Sequence, residues 1–213
     1  MTEPLAQISE GLIAGKVDRV VDLTRELLEG GTEARVVLNE GLLPGMDVVG
    51  RRFKACEMYI PEVLRSAKAM HGAMDLLRPK LSAGDLAGEG KMAIGTVKGD
   101  LHDIGKNLVA MLCEGAGFEV INLGIDLEAQ TFVDAVKEHK PDILGLSALL
   151  TTTMPRMGEA INALKEAGIR DQVKVIVGGA PVTAEYADKI GADAYGANAA
   201  MAVDKARALL KAS

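Results

Sequence analysis

Apolar residues along the first part of the chain fall three and four apart, the spacing of one buried helical face. Leu5, Ile8 and Leu12 share a face with Ile13 at its edge, and Gly15 ends the run. Val17, Val20, Val21, Leu23, Leu27 and Leu28 follow at mostly helical spacing, up to Gly30 and Gly31. A third helical stretch spans about Glu33 to Cys56, where Pro44 and Gly45 are placed to kink it or split it in two. The fourth opens at Pro61, a residue suited to a first helical turn, and carries Val63, Leu64, Ala67, Met70, Met74 and Leu77. Four such helices predict a small bundle.

From Lys91 onward the pattern becomes short β-branched runs separated by amphipathic stretches. The predicted strands are KMAIGTV (91 to 97), FEVINLG (118 to 124), DILGLSA (142 to 148), VKVIVGG (173 to 179) and ADAYG (192 to 196). Helices are expected to begin near Asp103, Leu127, Met154, Thr183 and Asn198. Strict alternation of strand and helix predicts an α/β domain: a doubly wound, flavodoxin-like (Rossmann-like) parallel sheet of five strands, with right-handed crossovers. The expected division is a helical domain over residues 1–88 and an α/β domain over 89–213, with LSAGDLAGEG (81 to 90) as a Gly- and Ala-rich linker.

Composition adds exclusions. Hydrophobic residues make up 48% and charged residues 25% of the 213, an ordinary globular balance. No apolar run reaches the roughly 20 residues of a membrane span, and MTEPLAQISEGL lacks the basic and apolar segments of a signal peptide. A cytoplasmic protein is expected. Cys56 and Cys113 form no ligand pair or disulfide framework and are expected to be two buried thiols. A net charge of −6 without a basic stripe excludes a nucleic-acid surface, leaving proteins and small molecules as partners.

In a doubly wound sheet, ligands bind beyond the carboxyl ends of the strands, where the strand order reverses. The loops placed there are 98 to 105, 147 to 153 and 178 to 183. The first holds one of only three histidines, in GDLHDIG. His102 can present one ring nitrogen to a ligand or metal while Asp100 takes a hydrogen bond from the other, which fixes the tautomer. Gly105 lets a bulky group approach the backbone. An ordinary loop histidine, with Asp100 or Asp103 capping the next helix, accounts for the same letters. His71 and His139 lack this setting and are expected on the solvated surface. GLSALLTTTMP brings Ser147, Thr151, Thr152 and Thr153, which suit either a polar site or a helix cap before Met154. VGGAPVT brings Gly178 and Gly179, which suit either ligand passage or a tight turn.

In this order, D-x-H-x-x-G, S-x-L and G-G resemble the cobalamin-binding domain shared by methionine synthase, the corrinoid proteins of methyltransferase systems and adenosylcobalamin mutases. The resemblance spans about residues 5 to 210 and leaves no substrate barrel, folate module or reactivation domain in the chain. It implies a cobalamin or related corrinoid with His102 as the lower axial cobalt ligand, in place of the cofactor's dimethylbenzimidazole. Asp100 would support that ligand, with Asp103, Ile104 and Gly105 beside it. Ser147, Leu149, Thr151, Gly178 and Gly179 would line a slot for the displaced nucleotide tail, and Thr153 stands where methionine synthase has a relay serine.

GMDVVGRRFKACEMYIPEVLRSAKAM (45 to 70) resembles the helical cap over methylcobalamin in the methyl-transferring branch. By that resemblance Phe53, Ile60 and Val63 would cover the methyl group with Met58 and Tyr59 nearby, although places in the bundle core suit the same residues. The function implied is a non-catalytic methyl shuttle. Its partners would be a substrate-specific corrinoid methyltransferase, a second methyltransferase loading tetrahydrofolate or coenzyme M, and a reductive activator. A cobalamin-dependent sensor module is the alternative. A mutase subunit is disfavoured by the methyl-type cap, and a flavodoxin-like domain with another ligand is the plainest reading.

Overall fold

The structure, a computed structural model, describes residues 2–81 and 89–211, so most of the expected linker at 81 to 90 lies outside the described residues. The chain divides into two compact units, one of residues 1–88 with 115–117 and one of 89–114 with 118–213.

The first unit is helical. Helices α1 (Glu3–Ile13), α2 (Val17–Glu29), α3 (Leu43–Lys54) and α4 (Ile60–Leu77) bury the faces expected from the sequence. Leu5, Ile8, Leu12, Val20, Leu23, Met70 and Leu77 are all buried. Each such side chain contributes on the order of 1.5–3 kcal/mol relative to exposure. Helix α2 packs against α1 and α4, and α1 against α3. The third helical stretch is not split at Pro44. It starts with one turn at Ala34–Val36 and passes through a π-helical segment, Val37–Leu42, into α3. Proline has no N–H and crowds the carbonyl four residues earlier. The wider turn just before it, closed by the Leu43 N–H on the Leu38 carbonyl, lets the helix run on.

The second unit is a parallel sheet of β1 (Lys91–Val97), β2 (Glu119–Leu127), β3 (Ile143–Ser147), β4 (Lys174–Gly178) and β5 (Ala194–Gly196). The strand order β2-β1-β3-β4-β5 is the flavodoxin-like one, and it reverses between β1 and β3. Between the strands lie α5 (Ile104–Gly115), α6 (Ala129–His139), α7 (Pro155–Glu166) and α8 (Ala184–Ile190), and α9 (Ala199–Lys211) closes the chain. The central strands are buried on both faces, which is why they read as continuous apolar runs. On one face Phe132, Met157, Ile161 and Leu164 pack with Ala93, Leu144 and Val175.

Some expectations change. β2 runs past its expected end at Gly124 as far as Leu127, because register shifts against β1 carry the pairing onward. Of the cysteines only Cys113 is buried, where burial pushes its thiol up to about 12 although Arg207 opposes this. Cys56 is exposed, in the turn leaving α3, where its backbone takes φ 59. His71 is exposed as expected, but His139, the last residue of α6, is half-buried. Among the described residues no helix is long and apolar enough to cross a membrane.

Candidate cofactor site

The loops after β1 and β3 meet at the reversal of strand order, and Asp100 joins them. Its carboxylate is fully buried. Oδ1 accepts the His102 N–H (3.1 Å) and His102 Nδ1–H (2.7 Å). Oδ2 accepts the Leu149 N–H (2.7 Å), the Leu150 N–H (3.3 Å) and the Thr153 hydroxyl (2.7 Å). Burial pushes the Asp100 carboxyl up, but the donors from Thr153, Leu149 and His102 outweigh it and hold the group well below the usual carboxylate range. An ionised carboxylate with these donors has one reason to be buried here, which is to hold its neighbours in place.

His102 is the neighbour that matters chemically. With Nδ1 held by Asp100 and the side chain 51% exposed, its second ring nitrogen, Nε2, is left as an acceptor or metal ligand of fixed tautomer. The buried Thr96 on β1 donates its hydroxyl to the His102 carbonyl (3.0 Å), so the histidine backbone is pinned as well. Asp103 takes the helix-start place instead of Asp100: its carbonyl accepts the Asn107 N–H (2.7 Å) and its carboxylate the Asn107 side-chain amide (2.9 Å).

The hydroxyls after β3 separate in three dimensions. Thr153 is buried and reaches Asp100, with its methyl group facing Gly99, whereas Thr151 and Thr152 are exposed. Helix α7 begins without any side-chain cap. Ser147 ends β3 opposite Gly178, and the Ala148 N–H donates to the Gly178 carbonyl (3.2 Å). Gly179 is at φ 132, and a Cβ there would lie 1.8 Å from the Ala148 carbonyl oxygen, so only glycine allows the two loops to close.

Around this centre the second unit exposes apolar side chains. Leu101 (67%) and Ile104 (73%) follow β1, Ile125 lies near the end of β2, and Leu149 and Leu150 follow β3. Exposed apolar residues gathered at one edge mark a binding surface. Gly105, in the first turn of α5, would meet nothing within 4 Å if it carried a Cβ, so no protein contact demands a glycine there. Among the helical residues, Met58 and Val63 are buried, Phe53 is half-buried, and Tyr59 and Ile60 are exposed.

Sequence reading missed two supports. Thr96 is a hydroxyl in an otherwise apolar strand, which was a usable signal. Lys106 is buried on the same face of α5 as Ala110 and Cys113, and donates to the side-chain oxygens of Asn107 (2.7 Å) and Asn122 (2.6 Å), tying α5 to β2. Burial lowers its ammonium pKa, and the Asp103 charge opposes that.

The fold and site define a doubly wound α/β domain with one ordered imidazole at the switch point and an apolar rim. Family models described as B12 binding domains match residues 90–204 and, separately, 4–78, and the chain belongs to the B12-binding family and binds cobalamin or a related corrinoid. Trimethylamine corrinoid protein 1 of Methanosarcina acetivorans is 43% identical, covering 94% of this chain and 98% of its own length. Dimethylamine corrinoid protein 2 of the same organism is 42% identical, over 98% of this chain and 96% of its own. Among solved structures, the methanol:cobalamin methyltransferase complex MtaBC from Methanosarcina barkeri aligns with a TM-score of 0.90 at 30% identity, over 99% of this chain and 81% of that one.

Proposed function

We propose that this protein is a methyl shuttle. It takes a methyl group from a substrate:corrinoid methyltransferase and presents it to a second methyltransferase that loads tetrahydrofolate or coenzyme M, with a reductive activator as a third partner. The names borne by the relatives at 43% and 42% identity favour a methylated amine as donor. The observation that carries the reading is the 2.7 Å hydrogen bond from His102 Nδ1 to a buried, ionised Asp100 at the switch point.

The residues present fit the cofactor. Among the described residues no group of three or more His, Cys, Asp or Glu gathers to hold an ion. A single imidazole suits a metal whose other ligands come with a macrocycle. The bound corrinoid supplies a cobalt centre that takes up and releases a methyl group. His102 Nε2 would hold cobalt as the lower axial ligand. Asp100, with Thr153 behind it, keeps the tautomer that leaves Nε2 free. Ile104 and Gly105 offer an apolar, open surface to the macrocycle, with Asp103 shaping the helix start behind them. Ser147, Leu149, Thr151, Gly178 and Gly179 flank the course of the nucleotide tail. In the helical unit, the exposure of Tyr59 and Ile60 supports their reading as shields of an apolar group, with Phe53, Met58 and Val63 as their neighbours in sequence. A cytoplasmic location agrees with partners of this kind.

Reconstitution with cobalamin tests the site. The cobalt(II) form should show an electron paramagnetic resonance splitting from a protein nitrogen, sensitive to 15N-histidine labelling and lost in His102→Ala. Retention of dimethylbenzimidazole on cobalt would overturn the role of His102. Assays with trimethylamine-, dimethylamine- and methanol-specific methyltransferases test the shuttle and its donor. Catalytic turnover is expected with an amine system, and stoichiometric binding without turnover would favour a sensor.

A further inference from the structure

We propose that Asp126, at the end of β2, is a positioning residue that aims the Asp100–His102 pair by holding the loop between β1 and α5. Two register shifts separate β2 from β1 near its end, so that Gly95 pairs with Gly124 and Val97 with Leu127. Asp126 stands inside the second irregularity at φ 57, a backbone region that aspartate tolerates better than most residues. Bulges of this kind re-aim a side chain. Here the result is two contacts to consecutive residues of the facing loop. The Asp126 N–H donates to the Asp100 carbonyl (3.1 Å), and Asp126 Oδ1 accepts the Gly99 N–H (2.8 Å).

Those contacts bracket the backbone of Asp100, whose own N–H goes to the Val97 carbonyl (3.2 Å). With both sides of the residue tied, its side chain has few directions open to it, and the direction taken is toward His102 and Thr153. Lys98 completes the arrangement, with Nζ 3.4 Å from Asp126 and 3.2 Å from Glu128. The Gly99 N–H is the main influence holding the Asp126 carboxyl below its ordinary value; burial opposes it and Lys98 adds to it. Asp126 makes no direct contact with His102 among the bonds described, so it acts through the loop and is not a ligand. What the pair is aimed at rests on the function proposed above.

Two full-chain variants separate the possibilities. Asp126→Gly keeps the backbone donor and accepts the positive φ but removes the carboxylate, whereas Asp126→Asn keeps an oxygen for the Gly99 N–H and removes the charge. In cofactor-free protein, Asp126→Gly should speed amide hydrogen exchange at Gly99 and His102 by roughly tenfold, the loss of one charge-assisted hydrogen bond. The 15N signals of the His102 ring should shift toward a mixture of tautomers, while the urea unfolding midpoint stays near that of the wild type. Asp126→Asn should restore most of both signals. After loading with cobalamin, the fraction of cobalt(II) carrying a histidine nitrogen should fall in Asp126→Gly and recover in Asp126→Asn. Wild-type exchange and ring signals in Asp126→Gly would overturn the proposal, as would a loss of global stability matching the loss of loop protection. If the loaded wild type carries no histidine nitrogen on cobalt, the ligand role of His102 fails, and the cofactor-free signals still decide the role of Asp126.

Discussion

A buried carboxylate surrounded by N–H and O–H donors is held ionised by them, and the acid side of the stability curve reads this directly. The folded-state pKa of Asp100 lies below the unfolded value near 3.9, so its contribution is fully present above about pH 4 and is lost as the pH falls toward the depressed folded value. In Asp100→Asn that pH-dependent contribution disappears, and an amide N–H is set against donors from Leu149, Leu150 or Thr153. We expect a loss of roughly 1–3 kcal/mol at pH 7. We also expect a flatter fall in the urea midpoint between about pH 4 and pH 2 than in the wild type. Parallel curves would show that Asp100 is not the titrating group. At this scale the sequence was informative where the partners are local: Asp100 and His102 are two residues apart. The alternative of Asp100 as a helix cap is settled by the donors its carboxylate accepts from, since Asp103 stands at the helix start.

Helices and strands obey local periodicity, and most of their boundaries were legible. Helices expected near Asp103, Met154, Thr183 and Asn198 begin at Ile104, Pro155, Ala184 and Ala199. Backbone irregularity offset the usual rule in two places: the π segment carries the helix unbroken through Pro44, where a split was one of the two expectations, and the shifted register extends β2. Helix α5 carries the element-scale prediction. Glycine in a helix costs about 1 kcal/mol relative to alanine, and a Cβ on Gly105 meets no protein atom within 4 Å. Gly105→Ala should therefore raise the stability of the cofactor-free protein by about 0.5–1 kcal/mol in urea titrations. If the macrocycle lies against this turn as proposed, the added methyl group should also weaken cobalamin binding by about tenfold in spectroscopic titration. Unchanged affinity would move the macrocycle away from this turn.

For the whole molecule, the two compact units and the two matched B12-binding segments support a division of labour that we extend to a prediction. The α/β unit has its own core around Phe132, Leu144, Met157 and Val175 and holds every residue proposed for the lower cobalt face. Residues 89–213 expressed alone should fold cooperatively and retain the histidine-nitrogen signal with cobalamin, while methyl transfer falls at least roughly tenfold without the helical unit. Failure of the fragment to bind cobalamin would show that the helical unit is needed for retention. By itself the sequence determined the class of fold, the places of strands and helices and the candidate histidine, because spacing and turn residues encode which face of each element is buried. The resemblance marked Thr153, but only the tertiary structure decided that its hydroxyl reaches Asp100, 53 residues away, and that Asp126, 27 residues from Gly99, accepts that glycine's N–H. Periodicity constrains each element separately, whereas these contacts exist only once the order of strands brings the ends of β1, β2 and β3 together.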